Sequence, residues 1–200
     1  MNLPNKLTVV RVILVPVFMA FMTLPPLYEA VGDTAARLTA IAIFIIASLT
    51  DLLDGKIARK RGIVTDFGKF MDPLADKLMI FGALLSILFY TFETKGDSLF
   101  CRIFVWAAFI VMLRELAVTS MRLVISGKNG KVIAAQMSGK IKTVTQMLCV
   151  IVCIAEPVFY GYYGGIPYLS YIFVAAMTFM TVYSGVEYFI KFIPLIDTNK

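Results

Sequence analysis

Four aspartates are the residues in this sequence best placed to do chemistry. Asp51 and Asp54 are three residues apart, and Asp72 and Asp76 are four residues apart. A helix turns by about 100° per residue, so each pair lies on one helix face. We expect a short turn between the two helices to bring the acidic faces together. Converging carboxylates repel one another and resist desolvation, so the site needs a compensating cation.

Divalent metal ions would provide that compensation. An all-oxygen ligand set favours Mg²⁺ or Mn²⁺ over zinc. Two such ions about 4 Å apart would stabilise the attacking and the leaving oxygen of a phosphoryl displacement. The chain has no histidine, which excludes Ser-His catalysis and imidazole metal sites. The three cysteines lack a zinc spacing, and Cys149 and Cys153, one helical turn apart in an apolar run, are predicted to be packing residues.

Small residues accompany the acidic faces. Gly55 and Ala58 share the stripe of the first acidic pair, and Gly68 lies one turn before the second pair. They would let a nucleotide or a pyrophosphate approach the helix backbones, where Arg59 can hold a phosphate oxygen. The alternative is that small residues serve only close helix packing and that single aspartates are solvated caps. The combination at these spacings favours a site.

The composition indicates how these residues are positioned. The chain has 200 residues, 60% hydrophobic and 16% charged, with a mean hydropathy of +0.84. Its apolar residues form blocks long enough to cross a bilayer, so we predict an all-α polytopic membrane protein with one domain over residues 1–200. A short interfacial segment, Pro4–Thr8, would precede the first span, with Asn5 capping its helix. The six predicted spans are 7–27, 35–53, 70–92, 99–124, 141–163 and 168–192.

The basic residues orient these spans. The net charge is +6, and most Lys and Arg lie in segments 54–77 and 122–142, whereas the opposite connections hold few. This distribution places both termini and the aspartates in the cytoplasm, and it accounts for the charge without nucleic acid. A cation channel or transporter is an alternative, but it would place acids near the bilayer midplane.

A second set of charges could bind an acceptor. Four cations near a bilayer interface suit a doubly charged phosphate better than a zwitterion or a neutral alcohol. The alternative is charge that orients the chain or contacts anionic lipid. Glu115 could be a partner of the first of them, although adjacent residues do not face each other on a helix. The four cations are Arg114, Arg122, Lys140 and Lys142.

The pattern Asp-x2-Asp-Gly-x2-Ala-Arg-x8-Gly-x3-Asp-x3-Asp, beginning at Asp51, resembles without departure the signature of the CDP-alcohol phosphotransferase family. The resemblance implies a six-helix membrane bundle, a homodimer, and a cytoplasm-facing site for two Mg²⁺ or Mn²⁺ ions. It implies that the four aspartates bind the metals and that Asp76 is also the general base. The implied CDP pocket comprises Gly55, Ala58, Arg59 and Gly68, to which we add Asn5.

Further segments resemble the family members that use sn-glycerol 3-phosphate. These are Asn2 to Arg11, Arg114 to Arg122, Gly139 to Thr143 and Ser184 to Tyr188. The resemblance implies attack by the glycerol 1-hydroxyl on the lipid-linked phosphorus of CDP-diacylglycerol, which releases CMP. The alternatives are serine, an inositol phosphate or phosphatidylglycerol as the acceptor, or a scaffold without activity.

Overall fold

The computed structural model describes residues 2–61, 65–93, 97–129, 136–159 and 167–193, and it is all-helical over them. The side chains at 3, 4, 52–61, 66, 69 and 126–129 lie outside this description. The described residues form seven helices: α1 (Leu3–Thr23), α2 (Pro25–Val31), α3 (Asp33–Arg61), α4 (Asp66–Glu93), α5 (Ser98–Asn129), α6 (Met137–Phe159) and α7 (Tyr168–Phe192).

Proline and glycine set the breaks between the first three helices. Pro25 disfavours a helical Leu24, which is extended at φ −97° and ψ 111°, so α1 ends at Thr23. Pro25 then opens the short helix α2, where its missing N–H costs no hydrogen bond. Gly32 ends α2 at φ +86°, a conformation that favours glycine.

Five helices are long and apolar enough to cross a membrane, by length and composition. The candidate spans are Asn5–Thr23, Asp33–Asp51, Phe70–Glu93, Met137–Phe159 and Tyr168–Phe192. The predicted span 99–124 falls within α5, which is not among these five, so the count is one fewer than predicted. The all-helical prediction is confirmed for the described residues, and the chain is a membrane protein.

The first helix begins earlier than predicted. α1 starts at Leu3 with Asn2 as its N-cap residue, so Asn5 lies inside the first turn. The prediction that Asn5 caps the helix is therefore wrong: Pro4 falls at the start of the helix, where its fixed φ is already suitable. The side chain of Asn5 is buried and faces a neighbouring helix instead.

Helix α1 packs against both α3 and α4, which contact each other only sparsely over the described residues. The core behind this packing combines large side chains such as Phe18, Phe44 and Leu84 with small ones such as Ala40 and Ala83, all buried. Small residues allow helices to approach closely, as membrane bundles require. Cys149 and Cys153 are free and buried in this core, which confirms their predicted packing role.

The other end of the bundle is held by a buried carboxylate. Glu156 of α6 accepts hydrogen bonds from the backbone N–H groups of Leu169 and Ser170, at 2.9 and 2.7 Å. It thereby caps α7, whose first N–H groups have no partner within the helix. Outward-facing apolar side chains such as Trp106 and Phe179 are 68% exposed, as lipid-facing surfaces require.

Candidate active site

The centre of the site is a buried arginine that the sequence interpretation left without a chemical role. Arg11 of α1 places Nη1 at 2.9 Å from Oδ1 of Asp51 on α3 and at 2.8 Å from Oδ1 of Asp76 on α4. The arginine side chain is fully buried, whereas those of Asp51 and Asp76 are 28% and 51% exposed. One cationic nitrogen therefore joins carboxylates from two helices at the edge of the bundle.

Two further side chains of α1 continue this arrangement. Thr8, one turn before Arg11 and also buried, donates a hydrogen bond of 2.7 Å to Oδ1 of Asp72. Asn5 accepts a hydrogen bond of 3.0 Å from the Thr65 hydroxyl, which itself accepts from the Gly68 N–H at 3.1 Å. Residues 5, 8 and 11 share one helix face, which turns towards α4.

Gly68 is needed where α1 approaches the start of α4. A Cβ atom at this position would lie 3.2 Å from Oδ1 of Asn5 and 3.3 Å from Oγ1 of Thr65. Both contacts are tighter than ordinary packing, so a side chain would displace the polar group of α1. Gly68 and Asn5, both predicted for the CDP pocket, are thus neighbours. The Asp72 carboxylate lies 3.8 Å from the same Cβ position.

The acidic faces meet in a way that the sequence interpretation did not foresee. It predicted that a short turn would bring the two acidic faces together, and this turn, at 62–64, lies outside the described residues. Asp51 and Asp76 meet at Arg11 of α1, a helix that packs against both α3 and α4. The helix α3 includes the remaining predicted residues of its acidic stripe, but their side chains lie outside the described part of the chain. These residues are Asp54, Gly55, Ala58 and Arg59.

The donor set is suited to a hard divalent cation. Asp51 and Asp76 both reach within 2.9 Å of the same cationic nitrogen, so two helices already direct carboxylate oxygens at one positive centre. All the donors are oxygens, the type that Mg²⁺ and Mn²⁺ prefer. Among the residues that the structure describes, no three His, Cys, Asp or Glu side chains form a ready metal cluster. Asp54 lies outside them.

A second polar cluster lies between α5, α6 and α7. The buried Nζ of Lys142 donates to Oε1 of Glu115, and Arg114 lies 3.6 Å from the same oxygen. Gln146 lies 3.5 Å from Glu115 and 3.4 Å from the Thr181 hydroxyl. Arg114 and Glu115 do form an ion pair, but the nearer partner of Glu115 comes from another helix.

The predicted acceptor residues divide into three environments. Arg122 donates from Nε to the hydroxyl of buried Tyr188 at 3.2 Å, and its guanidinium lies 5.3 Å from the centre of that ring. Arg114 and Lys142 share Glu115, whereas Lys140 is exposed. Three of the four thus have partners that orient them.

Lys77 interacts electrostatically with groups of both clusters. It follows Asp76 on α4, and its ammonium interacts electrostatically with Asp76, Glu115 and Arg122. Its Nζ donates a hydrogen bond of 2.8 Å to the carbonyl oxygen of Pro73. Lys77 is therefore within electrostatic range of both clusters.

Comparisons with known proteins show a family and relatives that are similar over most of the chain. A family model described as CDP-alcohol phosphatidyltransferase matches residues 1–183. The chain is 40% identical over 195 residues to a CDP-diacylglycerol–glycerol-3-phosphate 3-phosphatidyltransferase of Bacillus subtilis, covering 95% of this chain and 94% of the relative. It is 34% identical over 187 residues to a probable phosphatidylglycerophosphate synthase of Mycobacterium tuberculosis, covering 94% and 79%. A Rickettsia felis protein with the same name as the Bacillus relative is 33% identical over 195 residues, covering 94% and 93%.

Proposed function

The chain belongs to the CDP-alcohol phosphatidyltransferase family, and we propose that it transfers the phosphatidyl group of CDP-diacylglycerol to sn-glycerol 3-phosphate. The products are phosphatidylglycerophosphate and CMP. The curated relatives with this activity in their names cover nearly the whole chain. The observation that carries the proposal is the meeting of Asp51 and Asp76, from two helices, at one cationic nitrogen. The same chain holds a separate cluster of cations on α5 and α6.

In the proposed mechanism, the aspartates do two kinds of work. Asp51, Asp54, Asp72 and Asp76 would hold two divalent cations, Mg²⁺ or Mn²⁺. Such ions neutralise the pyrophosphate and the departing CMP. Asp76, half exposed, accepts the proton of the acceptor 1-hydroxyl as the new P–O bond forms and the bond to CMP breaks.

The donor lipid would bind along the acidic helices. Gly55, Ala58 and Gly68 leave room for CDP beside the backbone, Arg59 holds a phosphate oxygen, and Asn5 lies at the rim of this pocket. The close approach of Asn5 to Gly68 supports grouping these two residues in one pocket. The acyl chains would remain in the surrounding lipid.

The acceptor phosphate would bind the basic cluster. Arg114, Arg122, Lys140 and Lys142 carry four positive charges, and Glu115 offsets one of them. The remaining charge favours a phosphate dianion over a zwitterion such as serine. Tyr188 and Glu115 support this role, since they hold Arg122 and Lys142 in place.

We further propose that α5 is the sixth span, and that both termini and the site face the cytoplasm. α5 has 32 residues, enough to cross a bilayer, and exposes large apolar side chains such as Leu113 and Leu116. The basic segments 54–77 and 122–142 support the orientation. A homodimer and a single domain over residues 1–200 complete the proposal.

An acceptor screen tests the reaction. Membranes that contain the protein are given CDP-diacylglycerol and labelled glycerol 3-phosphate, serine, inositol phosphate or phosphatidylglycerol, with Mg²⁺, Mn²⁺ or a chelator. We expect label from glycerol 3-phosphate to enter lipid only when a metal is present. Preferential incorporation of serine would refute the acceptor assignment.

A single substitution tests the base. Asp76→Asn should abolish CMP release while CDP-lipid binding stays measurable, because the amide cannot accept the proton. Asp33→Asn is the matched control, since this aspartate pairs with Arg37 elsewhere in the bundle, and it should keep its activity. An active Asp76→Asn protein would remove the base assignment.

A further inference from the structure

The burial of Arg11 requires an explanation beyond packing. Its side chain is fully buried, and a guanidinium cannot lose its proton in a protein. Removing such a charge from water is unfavourable, and only well-placed opposite charges offset this cost. Asp51 and Asp76, two of the four signature aspartates, provide such charges here.

We propose that Arg11 is a positioning residue of the acidic site. Its guanidinium acts as a covalently attached counter-ion that holds Asp51 and Asp76 together, and it thereby sets how strongly the folded protein depends on added divalent cations. This inference rests on the proposed function to the extent that metal ions bind these aspartates.

The geometry supports this role over a purely local one. Both contacts use the same nitrogen, Nη1, and their lengths of 2.9 and 2.8 Å are those of charge-assisted hydrogen bonds. The two aspartates lie on α3 and α4, which contact each other only sparsely in the part of the chain that the structure describes. Arg11 is therefore a direct electrostatic connection between the two acidic helices.

Charge balance makes the arginine and the metal ions partial substitutes for each other. Asp51, Asp72 and Asp76 bring three negative charges to one end of the bundle, and Arg11 supplies one positive charge among them. A divalent cation bound to the same carboxylates offsets the same repulsion. When one of two such cations is removed, the other contributes more to the stability of the folded state.

The overlap between the roles of Arg11 and the metal ions has a measurable consequence. A ligand that binds only the folded protein raises its stability according to its concentration and affinity. Without Arg11, the carboxylates should attract a metal ion more strongly, and we expect about tenfold tighter binding. Adding metal should therefore raise the melting temperature of a variant without Arg11 by about 3–6 °C more than it raises that of the wild type.

The test uses purified full-length protein in detergent, with Mg²⁺, Mn²⁺ or EDTA and no lipid substrate. We expect Arg11→Met to lose stability mainly in EDTA, and its metal-induced rise in melting temperature should exceed that of the wild type. The matched control is Arg37→Met. Arg37 is also buried and pairs with Asp33 at 2.6 Å, but at the opposite end of α3 from Asp51. Its metal-induced rise should equal that of the wild type.

A second variant keeps the test decisive if Arg11→Met does not fold. Arg11→Gln removes the charge but keeps a hydrogen-bond donor beside Asp51 and Asp76, so it is less disruptive in this buried position than methionine. Its metal-induced rise should also exceed that of the wild type, because the positive charge is lost. An equal or smaller rise in the variant that folds would overturn the inference, because a merely structural arginine weakens the protein equally with and without metal.

The same measurements separate this inference from the proposed function. If the wild type shows no metal-induced rise, the metal site itself fails, and the inference fails with it. If the wild type responds to metal and the Arg11 variants respond no more strongly, the inference alone fails. The acceptor screen then reports on the transfer reaction independently.

Discussion

Replacing Gly82 by alanine should displace the helix that carries Arg11. A Cβ atom at Gly82 of α4 would lie 2.9 Å from Cγ1 of Val15 and 3.1 Å from Sδ of Met19, both on α1. Ordinary carbon contacts are about 3.5–4.0 Å, so the Val15 side chain, or α1 with it, must shift by roughly 0.6 Å or more. Val15 is one turn from Arg11, so the movement reaches the ion pairs at 2.8 and 2.9 Å.

The magnitude follows from two opposing effects. Overpacking of this kind costs about 1–3 kcal/mol, and alanine in a helix returns about 1 kcal/mol relative to glycine. The net loss of about 1 kcal/mol lowers the melting temperature by about 2–4 °C. Gly139→Ala is the control, because its Cβ meets nothing within 4 Å. That variant should melt about 2–4 °C higher than the wild type.

The assay combines thermal melting in detergent with CMP release. We expect Gly82→Ala to lose activity about tenfold, because a displacement of this order weakens the positioning of reacting groups. Adding Val15→Ala removes the contacting methyl group and should restore part of the activity. If the melting temperature of Gly82→Ala equals that of Gly139→Ala, the reasoning is refuted. The close approach of α1 and α4 would then not determine the position of Arg11 relative to Asp51 and Asp76.

Two further predictions concern single hydrogen bonds. Thr8→Val removes the hydrogen-bond donor to Asp72 and should lower the free energy of unfolding by about 1.5–3 kcal/mol. Thr8→Ser keeps the donor and should melt near the wild type. Equal melting temperatures of the two variants would contradict this prediction. Outside the spans, a hydrogen bond from the Tyr171 hydroxyl, aided by the Leu99 N–H, lowers the pKa of Asp97. The stability from ionised Asp97 is therefore present above its unfolded pKa of about 3.9 and is lost as the pH falls through the lower folded pKa. Between pH 6 and pH 3 the melting temperature of the wild type should fall by more than that of Asp97→Asn. Identical curves of melting temperature against pH would refute the link between Asp97 ionisation and stability.

The helices and the acidic faces were predictable from sequence because both depend on local periodicity. Long apolar blocks indicate helices that cross a membrane, and the predicted span 168–192 coincides with α7. The spacing of Asp72 and Asp76 places them on one face of any helix, whatever packs against it. The ends were less predictable: α3 continues to Arg61, beyond the predicted limit of 53, because polar residues extend the helix past the apolar block.

The packing order of the helices was not predictable in this way. Arg11 and Asp76 are 65 residues apart, and no local pattern states that α1 packs against both α3 and α4. A signal was nevertheless present, since Asn5, Thr8 and Arg11 repeat every three residues at the start of an apolar helix. Polar groups on one face of a membrane helix need partners, and the unmatched carboxylates were the obvious candidates.

The partner of Glu115 illustrates the same limit. Sequence reasoning considered Arg114, its neighbour on the same helix, whereas the nearer cation is Lys142 on α6. Helix geometry indicates which residues share a face, but it does not indicate which face of another helix lies opposite. The correct pairing required the packing of α5 against α6 and α7.

The position of Lys77 links the two clusters and bears on acceptor choice. It is adjacent to Asp76 in the chain, and its ammonium is within electrostatic range of Glu115 and Arg122. In the proposed function, an acceptor whose phosphate contacts Arg122 also has to bring its hydroxyl to Asp76. A zwitterion such as serine has no second negative charge for these cations, and its own ammonium would meet a positive field. The proposed acceptor site should therefore favour glycerol phosphate over serine.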